Sequence, residues 1–255
     1  MPSIDFRTPR IYLDAALTGG GEVSFDRDQA NYLRNVLRLG QGDDVLLFNG
    51  RDGEWAAKLA LTGKRALSAT VGECLRQQPA PLDLHFLFAP LKHARLDYLV
   101  QKAVEMGASR LQPVITRHTQ VARVNIERMR ANAIEAAQQC GVLCLPEIKE
   151  PVTFQTIAAS ADAGRLLVFC DEDAEVKDPV AALAQAVALW PAGVAGLAGL
   201  AVLIGPEGGF AEDEREALRK RPNVVRIALG PRILRADTAA VAALALVQAV
   251  LGDWK

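Results

Sequence analysis

Cysteine and histidine are scarce in this chain, and an excess of either charge is missing. Its 255 residues include four cysteines, Cys74, Cys140, Cys144 and Cys170, and three histidines. Cys140 and Cys144 have a spacing that zinc sites use. No second pair and no nearby histidine completes a ligand set, so free thiols in a reducing cytoplasm are expected, with no metal. The formal net charge is −1, which excludes a global basic signature for nucleic acid; any RNA binding must rest on a local patch. Long hydrophobic runs are also missing. The best stretch, Ala181 to Leu203, is interrupted by Pro191 and several glycines and does not read as a membrane span. The opening Met1-Pro2-Ser3-Ile4-Asp5 lacks the basic-then-apolar pattern of a signal peptide, so a cytoplasmic protein is expected. Neither G-x-G-x-x-G nor G-K-[ST] occurs, which argues against NAD and ATP. With 23% charged and 50% hydrophobic residues the balance is that of an ordinary globular protein.

Two segments near the C-terminus carry the most information. They are Leu200-Ala201-Val202-Leu203-Ile204-Gly205-Pro206-Glu207-Gly208-Gly209-Phe210 and Val224-Val225-Arg226-Ile227-Ala228-Leu229-Gly230-Pro231-Arg232-Ile233-Leu234-Arg235-Ala236-Asp237-Thr238-Ala239. Each is a short apolar run, the mark of a buried parallel strand, ending in a Gly/Pro-rich turn that feeds a helix. Open α/β sheets bind ligands beyond the carboxyl ends of their strands. Gly205, Gly208, Gly209 and Gly230 would lie there. They either make tight turns or let the backbone approach a ligand. Two such loops on consecutive strands favour a site.

Upstream, the pattern changes once. Residues up to about Gln78 read as short strands around one helix capped by Asp26 or Asp28, with a hairpin at Asp44–Phe48 and Glu54–Leu59. That suggests a small barrel. Gln77-Gln78-Pro79-Ala80-Pro81 is the linker candidate. Beyond it, strands at Leu82–Ala89, Leu111–Thr116 and Arg165–Cys170 alternate with helices at about 96–106, Asn125–Cys140 and from Asp178-Pro179 onward, the signature of an α/β domain. The run from Ala192 to Leu200 reads as a loop. Domains are therefore expected at 1–78 and 79–255.

The paired C-terminal segments closely resemble the signatures of the RsmE-type ribosomal RNA (uracil-N3) methyltransferases of the SPOUT superfamily. The likeness extends to Lys92-x-x-Arg95-x-Asp97, to Lys102-Ala103-Val104-Glu105-Met106-Gly107, to Thr116-Arg117-His118-Thr119 and to Glu135-Ala136-Ala137-Gln138-Gln139-Cys140-Gly141, so it covers most of the chain. Val142 and Asp237 stand where that family usually has arginine and glutamate. The resemblance implies a SPOUT-type knotted α/β domain with a trefoil knot behind a PUA-like N-terminal β-barrel that binds RNA. It also implies a homodimer, and S-adenosylmethionine bound in a bent shape by the two loops. It assigns cofactor contacts to Leu203, Ile204, Gly205, Pro206, Glu207, Gly208, Gly209, Leu229, Gly230, Ile233 and Leu234. RNA phosphate contacts fall to Arg7, Arg10, Arg34 and Arg38 in the first domain and to Lys92, Arg95 and Arg117 in the second. The implied reaction is methylation of N3 of one uridine in 16S ribosomal RNA. Two alternatives stay open: a SPOUT enzyme acting on a ribose 2′-hydroxyl, and a non-catalytic RNA-binding factor in ribosome assembly.

Methylating uracil N3 requires loss of the imide proton and alignment with the methyl donor. A base or a cation that stabilises charge on the uracil carbonyls would serve. Arg232, Arg235 and Asp237 are the catalytic candidates. Arg232 and Arg235 are alternatively structural partners of Glu207 or Asp237, and Asp237 is better suited to capping the last helix. Glu207 would bond either amides of its own loop or the cofactor's amino group. His93 reads as an RNA contact or a surface residue.

Overall fold

The computed structural model describes residues 7–61, 66–92, 94–121, 123–160, 164–175, 178–190 and 197–254. His93 lies outside them, as does most of the expected Ala192–Leu200 loop. The chain divides into two compact units, Met1–Ala80 with Ala137–Leu145, and Pro81–Ala136 with Pro146–Lys255. The inclusion of 137–145 in the first unit has no counterpart in the composition shift at the linker.

In the first unit, β1 (Arg10–Tyr12), β2 (Glu22–Ser24), β3 (Asp44–Phe48), β4 (Glu54–Leu61) and β5 (Leu67–Arg76) form one sheet in the order β1-β3-β4-β5-β2. β1 pairs in parallel with β3, and the other ladders are antiparallel. The expected hairpin is the β3–β4 pair. Alternating inward residues such as Val45, Leu47, Ala57, Leu59, Ala69 and Val71 make one core, as period-2 patterning requires. Asp26 caps α1 (Arg27–Asn31), and Gln29 completes the capping box. A π-helical turn, Tyr32–Val36, follows. Arg38 then takes φ 59°, alone in the left-handed region among the described non-glycine residues.

The second unit holds a parallel sheet in the order β12-β10-β11-β6-β7-β8, with β9 also paired to β7. Its strands are β6 (Leu84–Phe88), β7 (Arg110–Ile115), β8 (Glu147–Ile148), β9 (Val152–Thr153), β10 (Arg165–Cys170), β11 (Gly199–Ile204) and β12 (Val224–Ile227). The helices are α2 (Ala94–Glu105), α3 (Ile126–Cys140), α4 (Phe154–Ala158), α5 (Pro179–Ala188), α6 (Glu212–Arg219) and α7 (Ala236–Val250). The last four residues of α3, from Ala137 to Cys140, fall in the first unit. The central strands are apolar along their whole length because the sheet is covered on both faces; Val168, Phe169, Val202 and Leu203 are each 0% exposed. Gly199 and Leu200 belong to β11, not to a preceding loop, because the glycine pairs in register with Arg165. The short β8, β9 and α4 were not legible from periodicity.

Candidate active site

Three adjacent strands end level. Cys170, the last residue of β10, pairs with Ile204 on β11 and with Ile227 on β12. The loops leaving those ends enclose a cavity of about 550 Å³, a size usual for small-molecule sites. Its walls come from 170–172, 204–209 and 228–236, with Arg95 and Ala239 added. A larger cleft, about 690 Å³, opens between α5 and β12, but it lies at the amino ends of β10 and β12, and α/β sheets bind ligands at their carboxyl ends, so the strand-end cavity is the better site.

The 205–211 loop is seated by Phe210, which is 2% exposed. Its ring meets Phe169 edge-on at 4.8 Å and Phe154 at 6.3 Å, a favoured aromatic geometry. Position 205 must be glycine for this seat to exist: a Cβ there would lie 2.6 Å from the Phe210 ring. Gly230 meets a different need. Nothing lies within 4 Å of a Cβ built there, but its φ is +95°, which side chains rarely adopt.

Behind the cavity, the fully buried carboxylate of Asp171 accepts Nε of Arg215 at 3.1 Å and Nε of Arg226 at 2.6 Å. Arg215 also reaches Glu172 at 2.7 Å and Asp173 at 3.1 Å. The acidic run is thus the counter-ion of an arginine. Burial alone pulls Arg215 down, but the hydrogen bond to Asp171 and the three nearby carboxylates outweigh it and its pKa is raised. Cys170 lines the cavity as a neutral thiol; burial first, then the charge of Asp171, push it up to about 12.

The cavity gathers most of the expected cofactor residues: Ile204, Gly205, Pro206, Glu207, Gly208, Gly209, Leu229, Gly230, Ile233 and Leu234. Leu203 is a correction. Strand alternation turns it away from the cavity, 0% exposed, into the core with Phe169 and Phe210. Sequence reasoning missed the Cys170–Glu172 wall, although an apolar strand ending in Asp171-Glu172-Asp173 was a visible signal.

Arg232 and Arg235 both line the cavity and are exposed. Neither pairs with Glu207 or Asp237; Glu207 instead meets Arg95 at 3.4 Å. Asp237 is corrected as the helix cap. It sits in the first turn of α7 with Arg235 at the N-cap position. Its carboxylate accepts the Thr238 amide at 2.8 Å, and it is not part of the cavity wall. It still lies where a negative charge favours the helix dipole.

Among the expected RNA contacts, Arg10 is also corrected. It is 6% exposed, with Nε donating to Glu54 and Nη1 to the Gln138 carbonyl at 3.2 Å. Arg76 binds the same carboxylate at 2.7 Å. Burial pushes Glu54 up, but hydrogen bonds from Arg76 and Arg10 and their charges outweigh it, so its pKa is lowered. A guanidinium so enclosed cannot reach a phosphate. Arg7 and Arg38 are exposed and Arg34 half-buried. In the second unit Lys92 is exposed, Arg95 stands at the cavity, and the exposed Arg117 pairs with Asp213 at 2.6 Å.

Comparison with known proteins agrees with this architecture. A family model described as RNA methyltransferase domain matches residues 78–248, and one described as RNA methyltransferase PUA domain matches residues 25–72. A structure of ribosomal RNA small subunit methyltransferase E from Neisseria gonorrhoeae, bound to S-adenosylmethionine, is similar with a TM-score of 0.81 and 25% identity, covering 98% of this chain and 100% of that one. A Legionella pneumophila structure holding the same cofactor gives 0.78 and 28%, covering 95% and 98%. Fold and site together define a SPOUT-type RNA methyltransferase with a PUA-like N-terminal domain. Ribosomal RNA small subunit methyltransferase E of Rickettsia conorii is 32% identical over 94% of each chain, and that of Bacillus subtilis 26% identical over 88% of each. This chain belongs to the ribosomal RNA small subunit methyltransferase E family.

Proposed function

We propose that this protein methylates N3 of a uridine in 16S ribosomal RNA, using S-adenosylmethionine held in the strand-end cavity. The observation that carries the reading is the cavity itself: glycine-rich backbone on two sides, carboxylates on a third, and two exposed arginines at its edge. These residues fit the cofactor. The apolar side chains of Ile204, Leu229 and Leu234 suit its flat and aliphatic parts, and the loop amides and carbonyls suit its polar edges. The bound cofactor supplies an electrophilic methyl group, which leaves position and electrostatics to the protein.

Arg232 and Arg235 have no ion-pair partner among the described residues, so both are available to a substrate. One of them stabilises negative charge on the uracil carbonyls as the N3 proton passes to solvent water. The other holds a neighbouring phosphate. Lys92, Arg95 and Arg117 in this unit, and Arg7, Arg34 and Arg38 in the other, supply further phosphate contacts. The reading includes a trefoil threading of the cavity loops. It also includes a symmetric dimer, supported by the half-buried second face of α7 (Val241, Leu246, Val250) and by Ile233, which is 97% exposed. The domain boundary proposed for this activity stays between Gln78 and Pro79.

The test is methyl transfer from labelled S-adenosylmethionine to small ribosomal subunits, with the modified nucleoside identified by mass spectrometry. 3-Methyluridine is expected. A ribose-methylated product would transfer the protein to the 2′-hydroxyl reading, and cofactor-free RNA binding without transfer to the assembly-factor reading. Light scattering of the purified protein checks the dimer; a monomer at micromolar concentration refutes it.

A further inference from the structure

We propose that His118 is a positioning residue of the cofactor loop, its Nδ1–H holding the Gly208 and Gly209 carbonyls in the geometry on which S-adenosylmethionine affinity depends. The inference rests on the reading of the cavity just given. His118 stands on the segment after β7, ninety residues before the glycines it touches. Its Nδ1 lies 3.0 Å from the Gly208 oxygen and 3.2 Å from the Gly209 oxygen. Carbonyl oxygens only accept, so this nitrogen must carry the hydrogen and shares it between them.

Two further observations make the contact a clamp. A Cβ at position 208 would sit 3.2 Å from Cβ of His118, so the histidine occupies the space a side chain would need. The segment bearing the ring is also fixed by bonds other than those of the ring. The Arg117 amide donates to Oε1 of Glu214 at 2.9 Å, and the other oxygen of that 3%-exposed carboxylate accepts the Ala211 amide at 2.9 Å. The Thr116 amide is taken by the Thr119 hydroxyl at 2.9 Å. Gly208 and Gly209 have no side chains to restrict their backbone torsions, and within the loop the Gly209 amide bonds the Pro206 carbonyl at 3.0 Å, so the ring adds a second restraint on the direction of their carbonyls. Both glycines line the cavity, which makes the ring a determinant of its shape.

Asparagine places its amide nitrogen where Nδ1 stands, whereas glutamine places its own nearer Nε2. The experiment uses the full-length H118A, H118N and H118Q proteins. It reads S-adenosylmethionine binding by calorimetry without RNA, methyl transfer at saturating RNA, and thermal unfolding. In H118A, Kd and KM for the cofactor are expected to rise about tenfold, the value of one or two hydrogen bonds, with kcat within about twofold. H118N is expected to restore most of the affinity and H118Q little of it. Unchanged cofactor affinity in H118A overturns the proposal. So does rescue by H118Q alone, which would put the work on Nε2, or a fall in kcat with Kd unchanged. Should H118A unfold early, the comparison of H118N with H118Q decides. A wild-type protein that binds no S-adenosylmethionine would refute the reading of the cavity itself, before any variant is compared.

Discussion

Two glycines in the cavity loops are required for different reasons, and the difference can be measured. In G205A the new methyl lies 2.6 Å from the Phe210 ring, about 0.8 Å inside the 3.4 Å of ordinary contact. The ring cannot swing aside, because it is 2% exposed and held between Phe154 and Phe169. Overpacking of this kind costs about 1–3 kcal/mol. Where the loop yields, the cost registers as a roughly 5- to 150-fold rise in the cofactor Kd; where the core yields, it registers as lower stability of the free protein. Backbone conformation at 205 is not at issue, since its φ is not in the left-handed region. Trimming the obstacle therefore relieves the strain: G205A/F210L is expected to bind better than the product of the two single effects predicts. G230A is the control. Nothing crowds its Cβ and its φ is +95°, so its cost, about 1–2 kcal/mol of left-handed backbone, survives F210L unchanged. Calorimetric titration and thermal unfolding of G205A, G230A, F210L and the two double variants, with wild type, complete both cycles. Wild-type binding and melting in G205A, or strict additivity of G205A with F210L, would refute the reasoning.

Other expectations concern separate parts of the molecule. E54Q removes the anion shared by the buried Arg10 and by Arg76 and should destabilise the first unit by about 3–5 kcal/mol, read by urea unfolding; a loss under about 1 kcal/mol contradicts it. Because the folded Glu54 pKa is lowered, its contribution is full above the unfolded value, near 4.3, and fades as pH falls through the lower folded value. Acid titration followed by circular dichroism should show that slope in wild type and not in E54Q. R232A and R235A should bind S-adenosylmethionine within about threefold of wild type, while one of them loses about a hundredfold or more in kcat; undiminished turnover in both removes the arginines from catalysis. Cys170, with its thiol at about 12, should resist alkylation in the native protein at pH 8 while the exposed Cys140 reacts. Rapid labelling of Cys170 would show that the cavity floor opens.

What was legible in the sequence follows the strength of each local signal. The strand at Arg165–Cys170 and the helix after Asp178 needed only an apolar run and an Asp-Pro start, and the Asp178 side chain accepts the Ala181 amide. Strands of two residues, such as Glu147–Ile148, have no periodicity to read. The loops at Gly205 and Gly230 announced the cavity, but its third wall at 170–172 did not, because acidic residues after a strand look like solvated surface until Arg215 is seen among them. Arg10 illustrates the opposite failure. One arginine in a row of arginines resembles a phosphate contact, and only the fold reveals Glu54 beside it, forty-four positions away. Asp237 was read as a cap because capping residues and first-turn acids look alike in sequence and differ by a shift of two positions along the helix.

The Phe210 seat bears on how a ligand enters. Peeling the 205–211 loop off the sheet would withdraw a ring from the domain interior, which costs about 1.5–3 kcal/mol. An open loop is then populated in at most roughly one molecule in ten to one in a hundred. Nearly every free molecule already has the binding-competent loop, so little affinity is lost to conformational selection. Arrival and departure of the small molecule must then run through the cavity mouth beside Arg232 and Ile233, and their rates should respond to what lies over that mouth more than to any motion of the loop beneath it.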